Sequence, residues 1–395
     1  MSTSRQVYRI LELTDSTNEV LAQRLGSSIA AAAEAAAACT LQMAVALPPG
    51  SVTLCLQYIY TPAAEGEDLQ GRLSVHFVVE ANGEEAIRAA STLSGPFSHV
   101  HHLKPVGDLP ASRNGLDLAA DVVHRVAMVG RTISPKLNPK GMPAYLVSDP
   151  FEPKEGNNYL SVDRALGDAD ERITVEIAVQ LACVEEERAA HGRYLAHLQS
   201  INRTWDGGLD RLQPLWKEPA QNDFRGGPQV IKGTQEREVL VDTIQRQEQR
   251  SHERLLGPNL LFHIRVWGET RASVLLTATT LAESAFEAGS YQLFESKRGD
   301  PFFTDPASSG GSICVRPMPV VQSLMGNCDV PLYRAMARLP HLAPVEELVS
   351  VFRPPLAGYS SPLCIRKDTD PPQEDPRDLI IFGYEEQGRA EESQE

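Results

Sequence analysis

The residue pattern predicts an α+β fold: mixed sheets layered by helices on one face, with two related strand–helix subdomains. Three observations carry this. Arg172 to Leu181 alternates cleanly, with Ile173, Val175, Ile177, Val179 and Leu181 on one side and Thr174, Glu176 and Gln180 on the other. Period-two alternation of this kind is a half-buried strand, with one covered face and one wet one. Leu73–Val79 and Leu260–Val266 are further apolar strand-like segments, and each runs directly into an Ala-rich helical segment. Long charged stretches at helical spacing, Val184–Ile201 and Glu236–Leu256, supply the remaining helices.

The elements follow in order. Asp15 or Ser16 is placed to cap one long helix running to about Leu47, where Pro48-Pro49-Gly50 stops it. Ser51–Tyr60 reads as a strand through Val52, Leu54, Leu56 and Ile59, and a polar loop from Thr61 to Gly71 separates it from Leu73–Val79. Glu84–Leu93 reads as a helix. Residues 104–170 are rich in Pro, Gly and Asn and read as an irregular connection, interrupted by a helix-like piece at Leu116–Val129 and a strand at Ala144–Val147. Trp205–Gly233 reads as a loop or linker, Leu260–Val266 as a strand and Thr270–Ala288 as the helix closing that block. A Pro-rich loop after Pro355 precedes a short apolar strand at Leu379–Gly383 and an acidic tail. Together these divide the chain into an N-terminal subdomain (1–103), an irregular segment with a strand–helix unit (104–233), a second α+β subdomain (234–383) and a disordered acidic tail (384–395). The segments Leu73–Ala81 and Leu260–Gly268, each with its following helix, align as a weak repeat of the kind that recurs in split β-α-β folds.

Composition excludes several function classes. The 395 residues suffice for two or three ordinary domains, and 42% hydrophobic with 23% charged content is that of a soluble globular protein. A formal net charge of −15 argues against a general nucleic-acid surface, which needs Lys and Arg on phosphates; Lys136 with Lys140 marks one candidate for a local basic patch. Six scattered cysteines without a C-x-x-C pair, and no signal-type N-terminus, place the chain in a reducing, cytoplasmic setting, at most peripheral to a membrane complex. The Ala-rich run from Ser27 to Leu47 has the length of a bilayer span, but it carries Glu34, Thr40 and Gln42 and reads as a soluble helix packed on a neighbour.

No catalytic, cofactor-binding or metal residue is assigned, and no cofactor is expected. His99, His101 and His102 lie close together but lack further ligands at metal spacing; His76 and His263 sit centrally in matching strands and read as core-edge residues. Ser308–Ser312 is Gly-rich without a lysine at the offset a phosphate loop needs, and Asp368–Asp375 is a proline-broken acidic linker. No Gly-x-Ser-x-Gly or His-Glu-x-x-His pattern occurs. The segment Phe352-Arg353-Pro354-Pro355 is the candidate interface: a helix ending at a double proline can present an aromatic and an arginine on a rigid exit, the alternative being that Phe352 caps the local core.

Several segments together resemble a known family. Asn259-Leu-Leu-Phe-His-Ile-Arg265-Val266 with its Ala-rich helix, and Leu342-Ala-Pro-Val-Glu-Glu-Leu348 through Pro354, are similar in order and spacing to the region preceding the nucleotide-binding core of HerA-like and conjugation-type (type IV secretion) hexameric ATPases. Leu181-Ala-Cys-Val departs from that pattern by lacking a proline. The resemblance spans roughly residues 140–383, and no Gly-x-x-x-x-Gly-Lys-Ser/Thr loop occurs in the chain. It implies an α+β accessory domain that supports oligomerisation and docks on partner machinery without hydrolysing nucleotide. The expected partner is a separate P-loop ATPase, with self-association and no direct nucleic-acid binding. A split system or a fragment of a longer product both fit; the acidic tail favours the split system. The competing readings are a free-standing structural scaffold and an enzyme with a site in the Pro/Gly-rich middle.

Overall fold

The computed structural model describes residues 3–11, 14, 17–62, 72–107, 116–132, 144–154, 166, 169–203, 211–214, 234–287, 290–301, 303, 313, 315 and 338–356. Its centre is one continuous sheet, and every pairing among the described strands is antiparallel. The sheet is therefore not mixed.

The first four strands form a complete unit. β1 (Thr3–Ile10) leads through α1 (Glu19–Leu25) and α2 (Ile29–Val45) to β2 (Val52–Thr61). β3 (Arg72–Asn82) then passes through α3 (Glu84–Leu93) and the single turn α4 (Gly95–Ser98) to β4 (Leu103–Val106). Its spatial order, β2-β3-β1-β4, is that of a split β-α-β, or ferredoxin-like, unit. The second unit repeats the order. β5 (Leu118–Thr132), β7 (Ile173–Ala182), β9 (Asn259–Gly268) and β10 (Tyr291–Lys297) stand as β7-β9-β5-β10, and α7 (Arg271–Ala285) joins β9 to β10 as α3 joins β3 to the last strand of its unit. The two units meet through the pairing of β2 with β7, in register from Thr53 opposite Gln180 to Tyr60 opposite Ile173.

The weak repeat is thus structural: its two copies are β3 with α3 and β9 with α7, which occupy equivalent places. The boundary at 233/234 falls within the second unit. There α5 (Glu185–Arg203) and α6 (Thr234–Arg254) form a helical hairpin between β7 and β9. Around β5, β6 (Ala144–Asp149) and β8 (Arg211–Pro214) pair with its far end. Finally β11 (Leu342–Ala343) pairs with β9 and leads to the single turn α8 (Val345–Leu348).

One face of the sheet carries the core. Leu56 and Tyr58 of β2, Phe77 of β3, Ile177 of β7 and Phe262 of β9 are buried there beneath α2, α3, α7 and the 345–356 segment. Helix α2 reaches it with Ala33, Ala36, Ala37 and Leu41, small side chains that let its backbone approach the sheet closely. The opposite face was expected to be wet, yet Thr174 and Glu176 are buried on it.

Several expectations are corrected. The long first helix is two, because Gly26 adopts a left-handed conformation (φ 68°) that ends α1, and Ser28 accepts from Ala31 N–H at 3.2 Å to start α2. No single helix among the described residues is long and apolar enough to cross a membrane; α1 and α2 meet at 47°. The helix-like piece at Leu116–Val129 is strand β5: it lies between β9 and β10, and Ala119, Ala120, Val122 and Val123 are all buried, so burial on both faces erased the alternation. The Trp205–Gly233 loop contains β8, and β1, β4 and β10 went unforeseen as strands. The expected strand at Leu379–Gly383, the tail and the Ser308–Ser312, Asp368–Asp375 and Lys136/Lys140 features lie outside the described residues.

The candidate interface is also corrected. Phe352, Arg353, Pro354 and Pro355 are all buried in this chain. Phe352 packs edge-on to Phe77, with ring centroids 6.5 Å apart, and lies 6.2 Å from Phe97. Tyr58 O–H donates to the Arg353 carbonyl at 2.7 Å, and the Arg353 guanidinium lies 3.4 Å from Glu34 of α2. The exit segment is a core element, not an exposed anchor. Phe352→Ala should therefore cost about 3–5 kcal/mol of folding stability, read by denaturant unfolding; a loss under about 1 kcal/mol would place the ring at the surface instead.

Candidate functional site

Two polar constellations lie inside the second unit and across the sheet. The first is a cleft where β5, β6, the α5–α6 hairpin and the β11–α8 segment converge, lined by His124, Ser148, His191, Ser251 and Arg254 with Leu339 and Leu342. Sequence spacing places its residues. Glu248 and His252 stand one turn apart on α6, as Glu187 and His191 do on α5, so each helix turns polar groups toward the packed side.

Glu248 is fully buried. Its carboxylate accepts from the Ser148 backbone N–H at 2.6 Å and from His191 Nε2 at 2.8 Å. Gln247 Nε2 donates to the Ser148 carbonyl at 2.9 Å, so α6 is stitched to β6 through both backbone groups of one residue. His191 Nδ1 lies 3.3 Å from His252 Nδ1, with the rings 12° from parallel. Burial, then His191 and Arg188, hold the His252 ring below the usual histidine range.

On the other side of the cleft, His124 Nδ1 accepts from the Phe151 N–H at 2.8 Å, which leaves Nε2–H to donate to the Leu342 carbonyl at 2.9 Å. Burial, then Arg254, hold this ring well below its ordinary range, so it stays neutral. Arg254, at the end of α6, grips Glu347 of α8 with a two-point ion pair. Burial nevertheless pushes the Glu347 carboxyl up to about 7, against the attraction of Arg254.

The cleft encloses about 330 Å³ of space, part of it open solvent, but its interior has room for little more than a water molecule. It can hold and pass protons between imidazoles and carboxylates; it cannot seat a metabolite as it stands.

The second constellation is a row across the sheet face opposite the helices. Pairing registers align Asp121, Arg265, Glu176, Gln57, His76 and Arg9 side by side on β5, β9, β7, β2, β3 and β1. Arg265 makes a two-point pair with Asp121, Nη2 to Oδ2 at 2.8 Å, and its guanidinium lies 5.7 Å from the Trp267 ring. Gln57 Nε2 donates to Glu176 at 3.2 Å. Burial, then Arg9, press His76 down to about 4, and burial with Glu176 and Glu80 pushes the neighbouring Cys55 thiol well above its usual range, which makes it an inert apolar filler.

The histidines singled out by sequence separate. His99 and His102 are exposed, while His101 is buried, donates Nδ1–H to Thr14 Oγ1 at 2.9 Å and is pressed to about 4 by burial. His76 and His263 are buried mid-strand on the row's face, His263 lying 3.9 Å from Glu176. Among the described residues no group of three or more His, Cys, Asp or Glu side chains could hold a metal ion. His191, Glu248 and His252 were missed by sequence reasoning. The one-turn spacing of Glu and His within the two charged helices was the available signal.

Two outcomes follow. Asp121→Ala leaves Arg265 buried without its carboxylate and should cost about 3–5 kcal/mol, whereas replacing both partners by apolar residues (Asp121→Leu with Arg265→Met) should recover most of the loss; denaturant titration measures both. Glu347 has a folded value above the ordinary 4.5, so its contribution favours folding below 4.5 and is lost as pH rises through about 7. Glu347→Gln should therefore gain stability relative to the parent at about pH 8.5 compared with about pH 5, and an equal difference at both pH values would contradict the assignment.

Compared with known protein families and with curated protein sequences, the chain matches no family model and no curated protein.

Proposed function

We propose that this chain is a non-catalytic assembly module, the counterpart of the region that precedes the motor in HerA-like and conjugation-type hexameric ATPases, and that it docks a separate P-loop ATPase chain. One observation carries the reading. The two segments bearing the resemblance are separated by more than seventy residues in sequence, yet Leu342 pairs with Leu261 and Ala343 with Leu260. Leu342 and Ala343 are thus paired with β9, and the residues that follow pack into the core against α2, a fixed base rather than a tether.

The chemistry of the interior supports the same reading. Asp121, Arg265, Glu248 and Glu347 are engaged with protein partners across elements, and the cleft beside them is sized for water. Such networks hold elements in place. The acidic balance of −15 fits docking on a protein better than on a nucleic acid.

The purified chain should show no ATP turnover, because the phosphate-cradling loop and its lysine are missing from the sequence. Hydrolysis that stays with the protein through successive columns and is absent from a mock purification would overturn this. Docking is tested by co-expressing the chain with any P-loop ATPase that lacks this front region and is found in a neighbouring gene, and measuring mass by light scattering. A stoichiometric complex is expected; two separate species, with the chain alone and monomeric, would remove the assembly reading.

A further inference from the structure

The two ends of the main sheet differ. β4 and β10 are its outermost strands, paired on one side with β1 and β5. In an antiparallel ladder alternate residues turn their N–H and C=O to the neighbour, and the residues between them turn away. Leu11 N–H donates to the His102 carbonyl, directly opposite in register, so Lys104 also faces β1 while Leu103 and Pro105 face outward. Pro105 has no N–H to offer, which blunts that edge. On β10, Arg298 N–H donates to the Asp117 carbonyl and Arg125 N–H to the Ser290 carbonyl, again directly opposite. Even-numbered residues therefore face β5, and Tyr291, Leu293, Glu295 and Lys297 turn their backbone outward. Lys297 is closed off: its N–H donates to Asp300 Oδ2 at 2.8 Å, and its carbonyl accepts from Asp300 N–H at 2.9 Å. Leu293, midway in this seven-residue strand, makes no outward backbone bond among the described residues.

We propose that this edge is a self-association surface: β10 of a second copy of this chain pairs with it, antiparallel, about a two-fold axis through Leu293. The residues on the edge select that occupant and that register. Centring on Leu293 sets it against its own copy, apolar on apolar, and sets Tyr291 against the copy's Glu295. Centring on Glu295 would put two carboxylates directly opposite and Leu293 against the closed Lys297, both unfavourable. Centring on Tyr291 would run Leu293 past the start of the strand. The edge is thus self-complementary, as a two-fold contact requires.

A strand pair by itself buries less than the roughly 1,000 Å² of a stable interface, and α7 supplies further surface. This helix lies along β10, held by the Arg271–Glu295 ion pair and by Tyr291 O–H, which donates to Glu283 at 2.5 Å. Leu276 stands two turns before Glu283 on the same stripe and is 58% exposed, one of three large apolar side chains exposed among the described residues. A two-fold perpendicular to the sheet brings both copies of α7 to the same face of the joined sheet, where the two stripes flank the joint. The pairing needs no ATPase, so its failure and the failure of motor docking are separate results.

Sedimentation velocity on the full chain, over about 1 to about 100 µM, tests the surface. The mass should rise with concentration toward twice the 43.2 kDa of one chain. Leu293→Lys places a charge at the axis and leaves the ladder to β5 intact, so it should raise the dissociation constant by roughly tenfold or more. A parent that stays monomeric throughout, or a folded Leu293→Lys chain that associates like the parent, would overturn the proposal. Should the variant fail to fold, hydrogen exchange on the parent decides, since protection of 291–295 must rise with concentration. Protection equal at both ends of the range means that a segment of the same chain, or nothing, covers this edge, and removes the second copy.

Discussion

Everything in this molecule depends on the pairing of β2 with β7. A split β-α-β unit ends on one side in its second strand, whose outer edge presents a row of unpaired N–H and C=O groups. Here the two second strands satisfy each other from Thr53–Gln180 to Tyr60–Ile173. That contact converts two four-stranded units into one continuous sheet and lets helices from both units share a single core. It also places the most demanding burial at the centre: Gln57 and Glu176, opposite one another in this pairing, are polar residues on interior strands.

The polar row follows from that placement. A residue on a central strand cannot turn to water, so each charged or amide side chain on the second face needs a neighbour in the adjacent strand at the same register. Asp121 meets Arg265, and Gln57 meets Glu176. Such a row contributes little net stability, because desolvation offsets attraction, but a one-residue slip of any strand would bring apolar side chains against charges. Register is thereby specified from both faces, by volume on the core face and by charge on the other.

The second unit departs from the first where the α5–α6 hairpin enters. The hairpin is held from β6 by Glu248 and Gln247, and its end is held by Arg254, which reaches Glu347 beyond β11. The same end helps fix residues 342–356. Hairpin and exit segment are thereby tied to each other directly, because Arg254 belongs to one and Glu347 to the other.

Much was legible from the residues alone. The strands Ser51–Tyr60, Leu73–Val79, Arg172–Leu181 and Leu260–Val266, the helix Glu84–Leu93 and the α+β class followed from local periodicity, which survives wherever one face is apolar and the other polar. β5 was not legible, because burial on both faces removes alternation and leaves an Ala-rich pattern that a helix shares. β1, β4 and β10 were missed, β4 being too short for a period and all three defined by their neighbours. The histidine–glutamate chain was visible only as one-turn spacings in two helices 57 residues apart, and nothing local brings those helices together. Sequence by itself determined which segments could be strands or helices. Tertiary structure decided that the two halves share one sheet, that Phe352 and Arg353 belong to its core, and that polar residues expected in water are buried. Burial and register arise from contacts between distant segments, which no local pattern encodes.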